Sequence, residues 1–343
     1  LNMSLKNLSV AKKIPKLLRD KLKNKRVSQI YKKFEKSLNL DQDFIVAVSG
    51  GPDSLALAFL SSIYSIKKKI VSRYFIVDHK LRKNSSNEAK VVKQVLNRLL
   101  IKAEILTWKG RKPQRNIQSL ARKKRYELLY KKCDELEISN ILLGHHQDDL
   151  FENFFLRILR GSGLRGLTSL DKKTKINNIN LLRPLLDFQK KDLEFISKDV
   201  FGFYVQDPYN KDEKFKRIKV RRLIKELKLD GLDQKKFVNT LNNLKSSNEV
   251  VKFYVDKNLN KNSYYVAKKN QLFLNSNFFQ QPYEIVLRAL SDSLRVIGTK
   301  YYAPRGKKLK KIIDEIKNNQ LSKVTLGGCI IEKVNQTVII SKE

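Results

Sequence analysis

The chain has 343 residues, and at about 100–200 residues per domain this predicts two or three domains. Hydrophobic residues make up 41%, with 7 prolines and 13 glycines, which excludes collagenous and disordered classes and leaves a folded chain with a sizeable core. Lys and Arg number 72 against 34 Asp and Glu, a net charge of +38, so nucleic acid is the first partner to expect unless the excess is merely compositional.

Residues 1–40 are lysine-dense and carry a weak helical stripe (Ile14, Leu17, Leu18, then Ile30, Tyr31, Phe34, Leu38), which reads as a basic extension leading into a helix. The first 25 residues lack the apolar core of a secretory signal, and no run of about 18 apolar residues occurs, so no membrane association is expected. Cys133 and Cys329 are too few for a zinc site or a disulfide scaffold; a reducing, cytoplasmic location fits.

From Phe44 onward, strand-length apolar segments (Phe44–Ser49, Ile70–Asp78, Ala103–Trp108, Asn140–His145) alternate with helix-length ones (53–67, 87–100, 116–137, 147–160). That rhythm predicts an α/β domain over 41–222, with a parallel sheet covered by helices on both faces. Beyond Arg183-Pro184 the rhythm is lost. Helices near 189–199, 215–228 and 233–257 point to a helical domain over 223–281. A helix near 283–297, a basic helix within 305–318, and strands Lys323–Leu326, Cys329–Val334 and Thr337–Ser341 make 282–343 a small α+β unit.

Chemistry concentrates at the ends of the predicted strands. Ser49-Gly50-Gly51-Pro52-Asp53-Ser54 follows a strand and opens a helix: glycine backbone can close around phosphate oxygens, two hydroxyls can donate, and the helix start is positive. The simpler alternative is a glycine turn with an ordinary helix cap. Asp53 is odd in such a cradle, because a carboxylate repels phosphate unless it holds Mg²⁺ or a cationic substrate. Gly161 and Gly166 have Walker-type spacing, but Leu167 stands where the lysine belongs.

Val77-Asp78-His79-Lys80-Leu81-Arg82 ends the second strand, on the side where ligands bind in open α/β sheets. Gly144-His145-His146-Gln147-Asp148-Asp149-Leu150-Phe151-Glu152 ends the fourth. There Leu150, Phe151, Phe154, Phe155, Ile158 and Leu159 predict a buried stripe, leaving Asp149 and Glu152 together on another face. All three histidines, His79, His145 and His146, fall in these two segments, where hydrogen bonding to substrate fits better than metal ligation. Arg122 and Arg125 lie one helical turn apart, and Arg157, Arg160 and Arg165 surround a glycine-rich loop, a supply of guanidinium forks for phosphate.

Taken together these segments resemble the N-type PP-loop ATP pyrophosphatases and, within them, the bacterial tRNA(Ile)-lysidine synthetases. Ser49–Ser54 looks like the SGGxDS loop, Val77–Arg82 like VDHxLR, Ala121–Tyr126 like ARxxRY, Gly144–Glu152 like GHHxDDxxE and Arg160–Leu167 like RGSGLxGL. Arg183-Pro184-Leu185-Leu186, Asp207-Pro208-x-Asn210 and the later Arg217 and Arg221 extend the likeness, which spans roughly 44–222.

The resemblance implies a Rossmann-like catalytic domain and a two-step reaction. ATP adenylates C2 of the wobble cytidine in an isoleucine tRNA with a CAU anticodon, and free lysine then displaces AMP. It further implies nucleotide binding by Ser49, Gly50, Gly51, Pro52, Asp53, Ser54, Asp78, His79, Gly144 and His145. Mg²⁺ would sit on Asp53, Asp148 and Asp149, chemistry would fall to Asp53, Arg122, Asp149 and Glu152, and tRNA or substrate contacts to Arg125, Arg160, Arg165, Arg217 and Arg221. The segments after 222 would touch tRNA. A related sulfurtransferase would want paired cysteines near the crevice, and a non-catalytic RNA-binding protein would leave the cradle unexplained.

Overall fold

A computed structural model describes residues 14–81, 84–110, 117–205, 216–300, 303–304 and 306–343. Arg82, the segment with Asp207, Pro208 and Asn210, and Arg305 lie outside the described residues. The chain forms two compact units, Leu1–Gly231 and Leu232–Glu343.

The first unit is built on a six-stranded sheet in the order β3-β2-β1-β4-β6-β5. Strands β1 (Phe44–Val48), β2 (Ser72–Asp78), β3 (Ala103–Thr107), β4 (Asn140–Leu142) and β6 (Ile179–Leu182) run parallel, and β5 (Lys173–Ile176) closes the edge antiparallel to β6. The chain runs from β1 outward to β3 and then returns to place β4 on the other side of β1. The loops after β1 and β4 therefore open a crevice at the carboxyl ends of adjacent strands, the switch point where such sheets bind ligands.

Period-2 alternation sorts the strand residues between two layers. Phe44, Val46, Val48, Tyr74, Ile76 and Leu142 share a core with α1 (Lys16–Lys21), α2 (Lys25–Ser37), α3 (Pro52–Lys68), α4 (Ser85–Asn97) and α8 (Lys190–Ile196). Ile45, Phe75, Leu106 and Ile141 face the opposite way, toward Tyr126, Leu129 and Cys133 of α5 (Ile117–Leu136). Helices thus cover both faces, as the alternating pattern predicts. Residues of the basic start, Leu18, Val27, Ile30, Tyr31 and Phe34, are buried in the same core, so the stripe read there marks a packed face.

The hairpin of β5 and β6 has no counterpart in the sequence reading. Its strands are four residues each, and Lys173-Thr174-Lys175-Ile176 carries too little apolar alternation to stand out. The turn lies at Asn177, whose φ of 52° is one that asparagine tolerates better than most residues. The stripe on α6 (Gln147–Ile158) also differs from expectation. Leu150, Phe151, Glu152 and Leu156 are buried, whereas Ile158, the last residue of the helix, and Leu159 after it are exposed.

The helix α7 (Leu164–Leu167) is a single turn, and α9 (Lys216–Leu229) packs against α6. In the second unit, α10 (Gln234–Asn262), the short α11 (Ser276–Phe279), α12 (Tyr283–Ile297) and α13 (Gly306–Lys317) join an antiparallel sheet of order β7-β8-β11-β10-β9. Its strands are β7 (Ser263–Val266), β8 (Gln271–Leu274), β9 (Lys323–Leu326), β10 (Cys329–Val334) and β11 (Thr337–Lys342). Val255 of α10, Leu272 and Leu274 of β8, Val286 and Leu290 of α12, Ile313 of α13 and Ile331 and Ile340 of the last strands form one core. The segments 223–281 and 282–343, divided in the sequence reading, therefore share a hydrophobic interior from Val255 onward. Among the described residues no helix is long and apolar enough to cross a membrane.

Candidate active site

The loop after β1 is shaped by glycine and braced by serine. Gly50 has φ of +85°, and a Cβ there would lie 2.5 Å from Val92 Cγ2. The buried Ser54 hydroxyl accepts from Ser49 N at 3.1 Å and Ser49 Oγ at 3.2 Å and donates to the Gly51 carbonyl at 3.0 Å. The two hydroxyls expected to donate to phosphate are thus spent on each other and on the loop. The donors left for an anion are the backbone N–H groups of Asp53 and Ser54, which a helix's first turn leaves without intrahelical partners; Pro52 at the first position has none to lose. Gly144, at the end of β4, lies over this turn: a Cβ there would stand 3.2 Å from Ser54 N and 3.3 Å from the Asp53 carbonyl.

Asp53 and Asp149 come from the first turns of α3 and α6 and converge on one imidazole. His146 Nε2 is 3.7 Å from Asp53 Oδ2 and 3.9 Å from Asp149 Oδ2. Burial raises the Asp53 carboxyl pKa above the usual carboxylate range, His146 opposes that shift, and the charge of Asp149 adds to it. Asp53 Oδ1 is buried without a hydrogen-bond partner, an open oxygen that suits a cation. Mg²⁺ is commonly held by one or two carboxylates together with substrate phosphates, a donor set that Asp53 and Asp149 beside the cradle match. Among the described residues no three His, Cys, Asp or Glu side chains gather as a ready-made metal site. Asp148, the third carboxylate of the expected trio, accepts from Lys228 of α9 on its Oδ1 at 3.3 Å.

Glu152 also parts from Asp149. Asp149 Oδ2 turns back to accept from His146 N at 2.9 Å, while the buried Glu152 Oε1 accepts from Arg221 Nε of α9 at 2.5 Å. Burial works against the Arg221 charge, but Glu152, and more weakly Asp149 and Asp53, hold its pKa above the ordinary value. Glu152 Oε2 is buried without a hydrogen-bond partner.

The other side of the crevice is cationic. Burial lowers the pKa of Arg125, and Arg122 and Arg217 lower it further; burial likewise lowers that of Arg183, with Arg122 adding to the shift. Arg183 is buried and donates Nη1 to the Asp171 carbonyl and Thr174 Oγ1, with Nε left over. Arg122 donates to the Tyr126 hydroxyl at 3.4 Å and covers its ring at 5.3 Å. His145 and His79 are both held to a pKa of about 4 by burial, assisted by Arg183, Arg122 and Arg217 at His145 and by Arg125 at His79. Both rings are therefore neutral at pH 7, and His145 Nδ1 and both His79 nitrogens lack partners. Cations gathered at the cost of mutual repulsion are what an anionic ligand would relieve.

The Asp78 carboxylate is bound by its own loop and the start of α4. Burial would raise its pKa, but Ser86 Oγ at 2.6 Å, Lys80 N at 2.9 Å and Ser85 Oγ at 2.8 Å hold it low, so the carboxylate clamps the turn that presents His79. Arg160 and Arg165 lie on the exposed stretch that follows α6. Sequence reasoning gave His146 a hydrogen bond to substrate rather than a place between two carboxylates, and left Lys228 without a role. For His146 the signal was present, a polar residue three positions before Asp149 at a helix start, the spacing of a capping box.

A model of the PP-loop domain matches residues 20–227. The chain is 33% identical over 308 residues to the tRNA(Ile)-lysidine synthase of Wolbachia sp. subsp. Brugia malayi, covering 87% of this chain and 70% of the relative. It is 30% identical over 327 residues to that of Rickettsia felis, covering 92% and 74%. Among solved structures, the U34-tRNA thiolase NcsA of Methanococcus maripaludis aligns with a TM-score of 0.55 at 19% identity, covering 65% of this chain and 80% of that one, a likeness of fold. With the glycine loop after β1, the paired carboxylates and the arginine wall all inside the matched region, the chain belongs to the tRNA(Ile)-lysidine synthase family of PP-loop proteins.

Proposed function

We propose that this protein ligates lysine to C2 of the wobble cytidine in an isoleucine tRNA with a CAU anticodon, consuming ATP and releasing pyrophosphate and AMP. The observation that carries the reading is the two-sided crevice. One wall offers open carboxylate oxygens for cations, at Asp53 and Glu152, and the other gathers Arg122, Arg125, Arg183 and Arg217 for anions. A reaction joining an amino acid amine to an adenylated base needs both.

In the first step the cytidine O2 attacks the α-phosphorus of ATP, and the bond to pyrophosphate breaks. The N–H groups of the first turn of α3 and the arginine wall stabilise the charge that moves onto the departing phosphates. Mg²⁺, held by Asp53 and Asp149, would supply further charge neutralisation there. In the second step the lysine ε-nitrogen attacks C2, and the C2–O bond breaks as AMP leaves. Asp149 and the free Oε2 of Glu152 suit the lysine ammonium. The carboxylates that hold the ammonium can also take the proton it must lose. The neutral rings of His79 and His145 can donate to phosphate or base without adding charge.

The test incubates the purified chain with ATP, Mg²⁺, labelled lysine and a CAU-anticodon tRNA transcript. The expected result is one lysine incorporated per AMP released, and none into a transcript with a CAU anticodon in the methionine tRNA body. AMP release that does not require lysine, or label that never enters the tRNA, would overturn the reading.

A further inference from the structure

We propose that His146 is a positioning residue for the carboxylate pair, and that the helix it caps dictates which ring nitrogen does the positioning. His146 is buried at the N-cap of α6, where its Nδ1 accepts the N–H of Asp148 at 3.2 Å. With Nδ1 committed as an acceptor, the ring proton lies on Nε2. Nε2 is the nitrogen that faces Asp53 Oδ2 at 3.7 Å and Asp149 Oδ2 at 3.9 Å. The backbone of the same residue holds Asp149 Oδ2 at 2.9 Å, so one residue grips Asp149 from main chain and ring together.

The need for such a residue follows from the approach of two like charges. Asp53 and Asp149 approach from the starts of two different helices, and the His146 ring faces an oxygen of each. Both ring distances exceed a hydrogen bond, so the Nε2 proton stands between the two oxygens and can tighten onto either once a cation draws on the pair. Asp53 Oδ1, the oxygen turned away from the ring, is the one left open for a ligand. His146 thus acts through Asp53 and Asp149 and aims them.

The inference rests on the proposed ligation only where turnover is read. The first measurement is independent of it: ¹⁵N–¹H spectra of the labelled, ligand-free protein, in which three histidines keep assignment tractable. The expected spectrum shows His146 Nδ1 unprotonated and Nε2 protonated at pH 7.5. The opposite tautomer overturns the proposal.

The second measurement separates cap from donor. His146→Asn keeps an oxygen that caps the helix and removes the distant N–H; His146→Gln keeps an N–H near the Nε2 position and removes the cap. The Asn variant should melt within about 1 °C of the wild type yet lose on the order of 10–100-fold in kcat/KM for lysine. The Gln variant should melt about 2–4 °C lower but recover to within about threefold of wild-type turnover at a temperature where it is folded. A purely structural role reverses that order, with the Asn variant fully active, and overturns the proposal, as does an equal loss in both folded variants. If the Gln variant does not fold, the tautomer and the Asn variant decide. A wild type that makes no lysidine counts against the proposed function, while the tautomer and the unfolding data still test this inference.

Discussion

Glu152 and Arg221 form an ion pair between α6 and α9 in which the carboxylate is shielded, at 8% side-chain exposure, and the guanidinium remains 41% exposed. Glu152→Gln should therefore cost about 1–2 kcal/mol, less than the ~3–5 typical of breaking a fully buried pair, because solvent screens Arg221. Urea unfolding of Glu152→Gln, Arg221→Gln and the double variant should give a double variant less destabilised than the sum of the singles. Strict additivity would show that the pair does not hold α9 to α6.

Asp53→Asn should abolish lysidine formation and raise thermal stability together. The folded state raises the Asp53 pKa, so the ionised side chain opposes folding at pH values above that pKa, and the opposition fades as pH falls through it. An isosteric amide removes the charge at little change in volume. A rise of about 2–4 °C in Tm with loss of activity is expected at pH 7.5, and the gain should shrink toward pH 4. A variant less stable than wild type at pH 7.5 would contradict this account of the site.

His79 and His145 should make the first unit acid-labile. Their folded pKa values of about 4 lie below the unfolded value near 6.5, so unfolding takes up protons and stability is lost as pH falls from about 6.5 toward 4. Two such groups give a limiting slope of about 2–3 kcal/mol per pH unit. Urea midpoints at pH 7.5, 6.5, 5.5 and 4.5 should fall more steeply in the wild type than in His79→Gln or His145→Gln. Equal slopes in all three would refute the assignment.

Gly144→Ala should weaken ATP binding more than it weakens the fold. The added methyl meets backbone atoms of Asp53 and Ser54, which cannot swing aside, directly over the free N–H groups of the first turn of α3. Gly50→Ala differs, because φ of +85° and the 2.5 Å approach to Val92 strain the folded chain itself, by about 1–3 kcal/mol. Nucleotide titration alongside thermal melts should separate the two: low affinity with near-native Tm for Gly144→Ala, and low Tm for Gly50→Ala.

Affinity for tRNA should fall steeply with salt, by nearly one log unit per phosphate contact for each decade of salt. Much of it should reside in the second unit, whose helix α13 presents Lys307, Lys308, Lys310 and Lys311 around the buried Leu309 and Ile312. The informative cut lies at Gly231, since removing 299–343 would tear Ile331 and Ile340 out of the core they share with α10 and α12. Residues 1–231 should retain nucleotide binding and lose tRNA affinity. Unchanged affinity in that fragment would return the second unit to a purely stabilising role.

Much of this architecture was legible because its signals are local. The switch from period 2 to helical spacing, the Pro52 start of α3 and the Gly50-Gly51 turn each need only a few neighbouring residues. What escaped depends on partners distant in the chain. Nothing near Glu152 announces Arg221, and nothing near Asp148 announces Lys228, since both partners arrive on α9. Ser49 and Ser54 were visible as hydroxyl donors, but their closure onto each other depends on a loop geometry that residue types alone do not specify.

The insertion of β4 beside β1 also has a consequence for synthesis on the ribosome. The cradle leaves the exit tunnel with Asp53, but Asp149 follows only after strands β2, β3 and β4 and helices α3, α4 and α5, roughly 5–20 s later at ordinary elongation rates. Through that interval a nascent chain bears half a nucleotide site and no paired carboxylates. Arg221 comes later still, so a chain halted before α9 holds the loop yet never completes the crevice.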